Sequence, residues 1–393
     1  MHKFTADRIY PVSSPPIDQG VIITDDTGTI LSIEHRDQHD GASLEYYPGV
    51  LIPGFINTHC HLELSHMKGK VDTGTGLIPF ITQVVTKRNA APEVITAAIE
   101  NAESEMYAGG IVAVGDISNT TDTFLVKSSS RMRFYTFVEL FDFLQDAGAE
   151  KAWADWSAVY QQLTPAKDSR KGYVPHAPYS VSPSLFAIIC AANSTDDCTI
   201  SIHNQETPPE NQLFLNKTGD FIDFYDKFGI QLDQFEPTGK SSIHYALQHL
   251  NPLQKNLFVH NTLTTREDIG IAQAWSDHTF WASCPNANLY IENRLPDYSS
   301  FIATNARVTL GTDSLTSNWQ LSILEEMKTI ARYQRYVPFE TILQWATLNG
   351  AQALGFDDTL GSFEIGKKPG ILRLEGPAPN HLLSPDAVVT RII

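Results

Sequence analysis

Residues 53–61 read Pro53-Gly54-Phe55-Ile56-Asn57-Thr58-His59-Cys60-His61, an apolar run that ends in two histidines one residue apart. A β-strand sends side chains i and i+2 to the same face, so both imidazoles can reach one point while Cys60 turns away from it. Two imidazoles on one face suit a divalent metal. The pattern alone is weak evidence, because 13 His in 393 residues give about 0.4 such pairs by chance. Its weight comes from the end of an apolar run at which it sits, and from the return of that arrangement downstream.

Short runs rich in Val, Ile and Phe recur at 51–59, 110–117, 133–140, 172–177, 199–204, 256–261, 279–284 and 307–312. Stretches with helical periodicity lie between them, among them Glu93 to Tyr107, Glu150 to Leu163, Pro183 to Ala192, Arg266 to Trp275 and Leu321 to Arg335. Eight strands alternating with helices predict an α/β fold, a closed (β/α)8 TIM barrel. An open doubly wound sheet is the alternative, but no Gly-rich phosphate turn follows the first strand to support a nucleotide-binding version.

The two ends read differently. Residues 5–49 alternate apolar and polar around turn signals such as Asp25-Asp26-Thr27-Gly28, as antiparallel hairpins do, and residues 359–393 look similar, punctuated by Gly361, Gly366, Pro369 and Gly370. The expectation is a small β-sandwich domain from residues 1–49 plus 359–393, beside a barrel over 50–358. The longest connection, 207–255, joins the fifth and sixth strands, and a barrel loop of that length is expected to be functional or lid-like.

In a parallel barrel the C-terminal strand ends form one rim, where active sites are built. His203 ends Thr199-Ile200-Ser201-Ile202, His260 ends Leu257-Phe258-Val259, and Asp313 ends Val308-Thr309-Leu310-Gly311-Thr312. Histidines and a carboxylate gathered on one rim suit Zn²⁺ or another first-row divalent ion, and sequence does not choose between them.

Composition narrows the partners. A formal net charge of −17 without clustered Lys or Arg argues against nucleic acid and anionic membrane. No apolar run approaches the roughly 20 residues of a membrane span. The start, Met1-His2-Lys3-Phe4-Thr5, lacks a secretory pattern, and the four cysteines form no CxxC pair, so a reducing cytoplasm is expected.

Taken in order, the motifs resemble the amidohydrolase superfamily, in its cytosine deaminase and chlorohydrolase-like branch. The resemblance covers nearly the whole chain. It rests on residues 53–61, Pro175-His176-Ala177-Pro178-Tyr179-Ser180, His203-x-x-Glu206, Val259-His260, Cys284-Pro285-x-x-Asn288, Gly311-Thr312-Asp313-Ser314 and Leu360-Gly361-Ser362-Phe363-Glu364-x-Gly366-Lys367. It implies one divalent metal, zinc with iron as the alternative, held by His59, His61, His203 and Asp313. Binuclear relatives carry a bridging lysine on the fourth strand, and Tyr173-Val174-Pro175-His176 has none.

The same resemblance implies that Glu206 shuttles protons to a ring nitrogen and a leaving amine, that His260 polarises the reacting carbon or holds the attacking water, and that Asp313 takes up that water's proton. His176 and Asn288 are expected to contact substrate. His66, His244, His249 and His278 are read as structural or solvent-facing, and Trp281 and Cys284 as packing around the seventh strand.

The implied reaction is hydrolytic deamination of an aminated heterocycle, a purine base or an adenosine-like nucleoside. Leu62-Glu63-Leu64-Ser65, Glu206-x-x-x-Glu210 and Gly219-Asp220-Phe221-Ile222-Asp223-Phe224 are similar to aminodeoxyfutalosine deaminases. After the paired histidines many nucleoside-acting relatives carry Arg-Gly, absent here. Gly366-Lys367-Lys368-Pro369-Gly370 also departs from the family's Gly-Lys-x-Ala-Asp. Alternatives are hydrolysis of a cyclic amide or a chlorotriazine-like substrate on the same rim, and a non-catalytic scaffold. The scaffold predicts lost ligands, and none is lost. The family is often homo-oligomeric, so a homo-oligomer is a further expectation. Specificity is expected to lie in the loops 62–80 and 207–255.

Overall fold

In the terminal sheet the strands His2–Ile9, Ile30–His35 and Glu45–Pro53 mix buried and exposed positions and Gly20–Thr24 is buried throughout, whereas the strands of the parallel core carry no exposed residue. A computed structural model describes residues 1–193, 197–376 and 382–393; residues 377–381 of the expected C-terminal β segment lie outside it. The first strands are β1 (His2–Ile9), β2 (Ile17–Asp18), β3 (Gly20–Thr24), β4 (Ile30–His35) and β5 (Glu45–Pro53). The β3–β4 hairpin turns at the expected Asp25, whose Oδ1 accepts the backbone N–H of Thr27 and Thr29 at 2.8 and 2.9 Å. Near the C-terminus the chain adds the strands Ile371–Glu375 and Val388–Arg391 to the same sheet.

This terminal unit differs from the expected sandwich of hairpins. Its strands are hydrogen-bonded into one seven-stranded sheet. Its centre is not a hairpin either, because β1 pairs with β5 in parallel. Sequence alternation reports that one face is buried but not which strand is the neighbour.

The eight expected strands of the middle are all present: β6 (Phe55–Cys60), β7 (Ile111–Ser118), β8 (Arg133–Leu140), β9 (Arg170–Pro175), β10 (Thr199–Asn204), β11 (Lys255–His260), β12 (Thr279–Ser283) and β13 (Val308–Leu310). The C-terminal strands named above become β14 and β15. The first apolar run, 51–59, is divided between two structures, since β5 ends at Pro53 in the terminal sheet and β6 begins at Phe55. Gly54 makes the break: a Cβ there would lie 2.4 Å from Val112 Cγ1 and 2.6 Å from the Pro369 carbonyl oxygen. Two backbones meet too closely for a side chain. β5 also straddles the expected boundary at residues 49 and 50.

β6 to β9 form one parallel four-stranded sheet and β10 to β13 another. Their edges meet on both sides. The His203 N–H donates to the His176 carbonyl at 2.9 Å, and the N–H groups of Thr312 and Asp313 donate to the His59 carbonyl at 2.9 and 3.0 Å. The side chain of Asn57 reinforces the second seam, giving Nδ2 to Thr312 Oγ1 at 2.8 Å and accepting the Thr312 N–H at 3.1 Å. One helix, Leu348–Leu354, serves both sheets: Ala351 and Leu354 pack with Ile56, Phe137 and Val174, and Ala353 packs with Leu257, Val259 and Phe280.

The five helices expected from periodicity appear as Pro92–Ala108, Ala149–Gln162, Pro183–Ala192, Arg266–Trp275 and Ile323–Tyr333. Their starts follow capping chemistry. Ser182 accepts the Leu185 N–H ahead of Pro183 at the first helical position, and Thr265 and Asp268 form a reciprocal capping box. The long connection 207–255 holds three helices, Pro208–Asn216, Asp220–Lys227 and Ser242–His249, whose Phe214, Phe221 and Tyr225 are buried. It is a packed layer.

Candidate active site

The strand ends bring His59, His61, His203, His260 and Asp313 to one place because neighbouring strands run parallel and in step. His59 Nε2 is 3.1 Å from His61 Nε2 and 3.6 Å from Asp313 Oδ1, and His61 Nε2 is 3.4 Å from the same oxygen. Donor atoms of His59, His61 and His203 all lie within 4.8 Å of one another, as do those of His59, His260 and Asp313. Tetrahedral ligands about 2.05 Å from a zinc ion stand about 3.3 Å apart, so this spacing fits a single small cation.

Protonation agrees with that fit. Burial lowers the pKa of His59 and His203 and brings His61 to about 3, leaving neutral rings, the form that donates a lone pair to a metal. The His203 tautomer follows from its partner. Nδ1 lies 2.8 Å from the His176 carbonyl, which can only accept, so Nδ1 carries the hydrogen and Nε2 is bare.

His260 is set by an unusual backbone. Its φ of 71° and the Asn261 N–H to Val259 carbonyl bond of 3.1 Å make a γ-turn of the rarer hand, and Asp313, at φ 55°, also lies in the left-handed region. Both ends of the Asn288 amide are taken by His260: Nδ2 donates to its carbonyl at 3.1 Å, and Oδ1 lies 3.0 Å from its Nδ1. Nδ1 is therefore the protonated nitrogen, and bare Nε2 faces Glu206 Oε2 at 3.5 Å. Asn288, expected to touch substrate, is engaged with this histidine.

Glu206 is buried, and its surroundings raise the carboxyl to about pKa 8, burial first, against a hydrogen bond from Tyr179 that favours the anion. Glu210 holds the loop beneath it, accepting the Gln205 and Glu206 N–H groups at 2.9 and 2.8 Å. His176 places its ring beside that of His203 with centroids 4.9 Å apart, its Nδ1 2.6 Å from Ser180 Oγ. The other histidines lie apart from this group, His66 with Nε2 2.7 Å from the Arg88 carbonyl and His249 stacked on Phe186. Trp281 and Cys284 are buried in the core, as expected.

Several contributors escaped the sequence reading. Glu139 at the end of β8 forms a donor group with His176 and His203, and its buried Oε1 has no hydrogen-bond partner. Gly311 leaves room for His59, since a Cβ there would lie 2.8 Å from the His59 Cβ. Asp116 at the end of β7 accepts the Leu62 N–H at 2.8 Å, next to His61, and pairs with buried Lys127 at 2.5 Å. For Glu139 and Asp116 the signal was a carboxylate near the end of an apolar run. Removing one partner of a buried ion pair strands the other charge, so Lys127→Met is expected to cost about 3–5 kcal/mol of stability. Urea unfolding would check it, and a loss under about 1 kcal/mol would mean the pair is not the anchor of this strand end.

The family model described as "Amidohydrolase family" matches residues 50–390. The chain belongs to the amidohydrolase family. Among amidohydrolase relatives, an adenosine deaminase of Helicobacter pylori is 26% identical over 359 residues, covering 89% of this chain and 85% of the relative. The crystal structure of Helicobacter pylori aminofutalosine deaminase with methylthio-coformycin matches with a TM-score of 0.84 and 21% identity, over 100% of both chains. Atrazine chlorohydrolase from Arthrobacter aurescens, solved with zinc, matches with a TM-score of 0.75 and 17% identity, over 98% of this chain and 91% of that one. The chain therefore has the amidohydrolase fold, and its cluster of histidines and Asp313 supports a divalent metal.

Proposed function

We propose that this chain is a hydrolytic deaminase of an adenosine-like nucleoside, using one zinc ion held by His59, His61, His203 and Asp313. The observation that carries the reading is Glu206, a buried carboxyl with raised pKa beside the bare Nε2 of His260 and the imidazole cluster. The names of the relatives point the same way. When bound, the ion supplies Lewis acidity that makes a water nucleophilic near neutral pH.

The protein's own groups do the rest. Glu206 gives its proton to the ring nitrogen beside the carbon under attack, and His260 Nε2 accepts a hydrogen bond from the incoming water and aims it. Asp313 takes a proton from that water. Glu206, now a carboxylate, takes the proton of the newly added hydroxyl and hands it to the departing amine, so a C–O bond forms, the C–N bond breaks and ammonia leaves; the proton held by Asp313 is then returned to Glu206. His176 lines the substrate side.

The fourth strand supports the reading of a single ion. Its lysine, Lys171, is turned to the other end, where Nζ donates to the Tyr160 and Leu163 carbonyls at 2.9 and 2.8 Å. We also read the two four-stranded sheets as one closed barrel that begins at β6 and ends by residue 358, with 359–393 and the chain up to β5 as the appended β unit, so that the expected division at residues 49 and 50 moves to Gly54. The test is ammonia release from adenosine, 5′-deoxyadenosine, larger 5′-substituted adenosines including aminodeoxyfutalosine, and adenine, with a chlorotriazine and a cyclic amide in parallel. Metal-loaded protein that releases chloride or opens the cyclic amide, yet no ammonia from any of the nucleosides, would overturn the reading.

A further inference from the structure

The acid of this site is gripped from the layer between β10 and β11. Tyr179 lies in the single turn Pro178–Ser180 that follows β9, and its phenol is buried. The hydroxyl donates to Glu206 Oε1 at 3.0 Å, and among the described residues it makes no other hydrogen bond. A phenol has one hydrogen to give. Oε1 is thus the accepting oxygen, and a proton on the carboxyl resides on Oε2, the oxygen that faces His260 Nε2.

Tyr179 is itself held by the helix Asp220–Lys227. Tyr225 donates its hydroxyl to the Tyr179 carbonyl, and the Phe221 ring stacks on the Tyr179 ring with centroids 4.5 Å apart and planes at 30°. From the start of the same connection, Glu210 fixes the backbone of Gln205, at φ 49°, and of Glu206. One segment therefore clamps Glu206 at both ends, the backbone through Glu210 and the carboxyl through Tyr179.

We propose that Tyr179 is a positioning residue that selects Oε2 as the proton-bearing oxygen of Glu206, and that the 207–255 connection exists in part to hold it there. This rests on Glu206 being the acid. The rival is a tyrosine kept for its ring, and phenylalanine separates the two because it keeps the stack and loses only the hydroxyl.

The experiment compares Tyr179→Phe, Glu206→Gln and the double variant as full-length, metal-loaded protein, measuring kcat and KM for whichever nucleoside the wild type deaminates. Selection by Tyr179 predicts that Tyr179→Phe lowers kcat about tenfold or more with KM changed by less than about twofold. In the Glu206→Gln background the same substitution should change kcat by less than about twofold, because no acid proton is left to place. Unchanged kcat in Tyr179→Phe overturns the proposal, and so does an equal fall in both backgrounds, which marks a packing role. If Tyr179→Phe does not fold, Tyr225→Phe carries the same test, with a fall in kcat that must also vanish in the Glu206→Gln background. Failure of the underlying reading would look different, as unchanged turnover in Glu206→Gln alone.

Discussion

Glu206→Gln is expected to lower turnover by about 100-fold or more while metal content and substrate binding stay near wild type. Gln has nearly the shape of Glu and can still accept from Tyr179, but it cannot take up and release a proton. The burial that raises the Glu206 carboxyl to about pKa 8 keeps it protonated at neutral pH, as an acid must be. The sign follows: activity that needs the protonated form is held below that pKa and falls as pH rises through it, and the Gln variant loses this limb with the activity. Turnover and bound metal on one preparation decide the matter. Unchanged turnover with full metal removes Glu206 from the mechanism, and loss of metal recasts it as a support of the site.

His59→Ala should remove metal and activity together. His59 is fully buried, and its Nε2 stands between His61 at 3.1 Å and Asp313 at 3.6 Å, so truncation deletes a donor and opens a cavity that no neighbour fills. The expected result is less than about a tenth of wild-type metal by elemental analysis, and turnover at background. Stripping the wild type with a chelator should reproduce the loss, and adding back zinc should restore it only in the wild type. Full activity in His59→Ala would mean that the site is misplaced. Two tightly bound ions per wild-type chain would remove the mononuclear assignment and direct attention to Glu139 and His176, the other donors beside His203.

Much of this architecture was legible in one dimension because two of its signals are local. Strands buried on both faces read as short apolar runs, and helices announce themselves by period and cap, so seven of the eight middle strands and the five expected helices lie close to where the pattern put them. The site was legible for the same reason. In a parallel sheet every strand delivers its last residues to the same side, so His59, His61, His203, His260 and Asp313 needed no distance information to be grouped. The run 51–59 misled because Phe55 and Leu51 are equally apolar, and hydrophobicity does not report that Val112 and the Pro369 carbonyl crowd Gly54. The terminal strands misled because alternation is the same for a strand in a sandwich and a strand in one sheet, and the same for parallel and antiparallel neighbours.

What the sequence by itself determined was the alternation of strands and helices, the placing of imidazoles and a carboxylate at the strand ends, and the presence of Glu206 three residues after His203. Tertiary structure alone decided what those groups can do. The pKa of Glu206 depends on how deeply it is buried, the bare nitrogens of His203 and His260 on which carbonyl or amide meets the other side of each ring, and the carboxyl's orientation on Tyr179, 27 residues earlier in the chain. Composition and spacing carry identity and order along the chain, whereas desolvation and hydrogen bonding act between residues far apart in sequence, and only the folded chain brings those together.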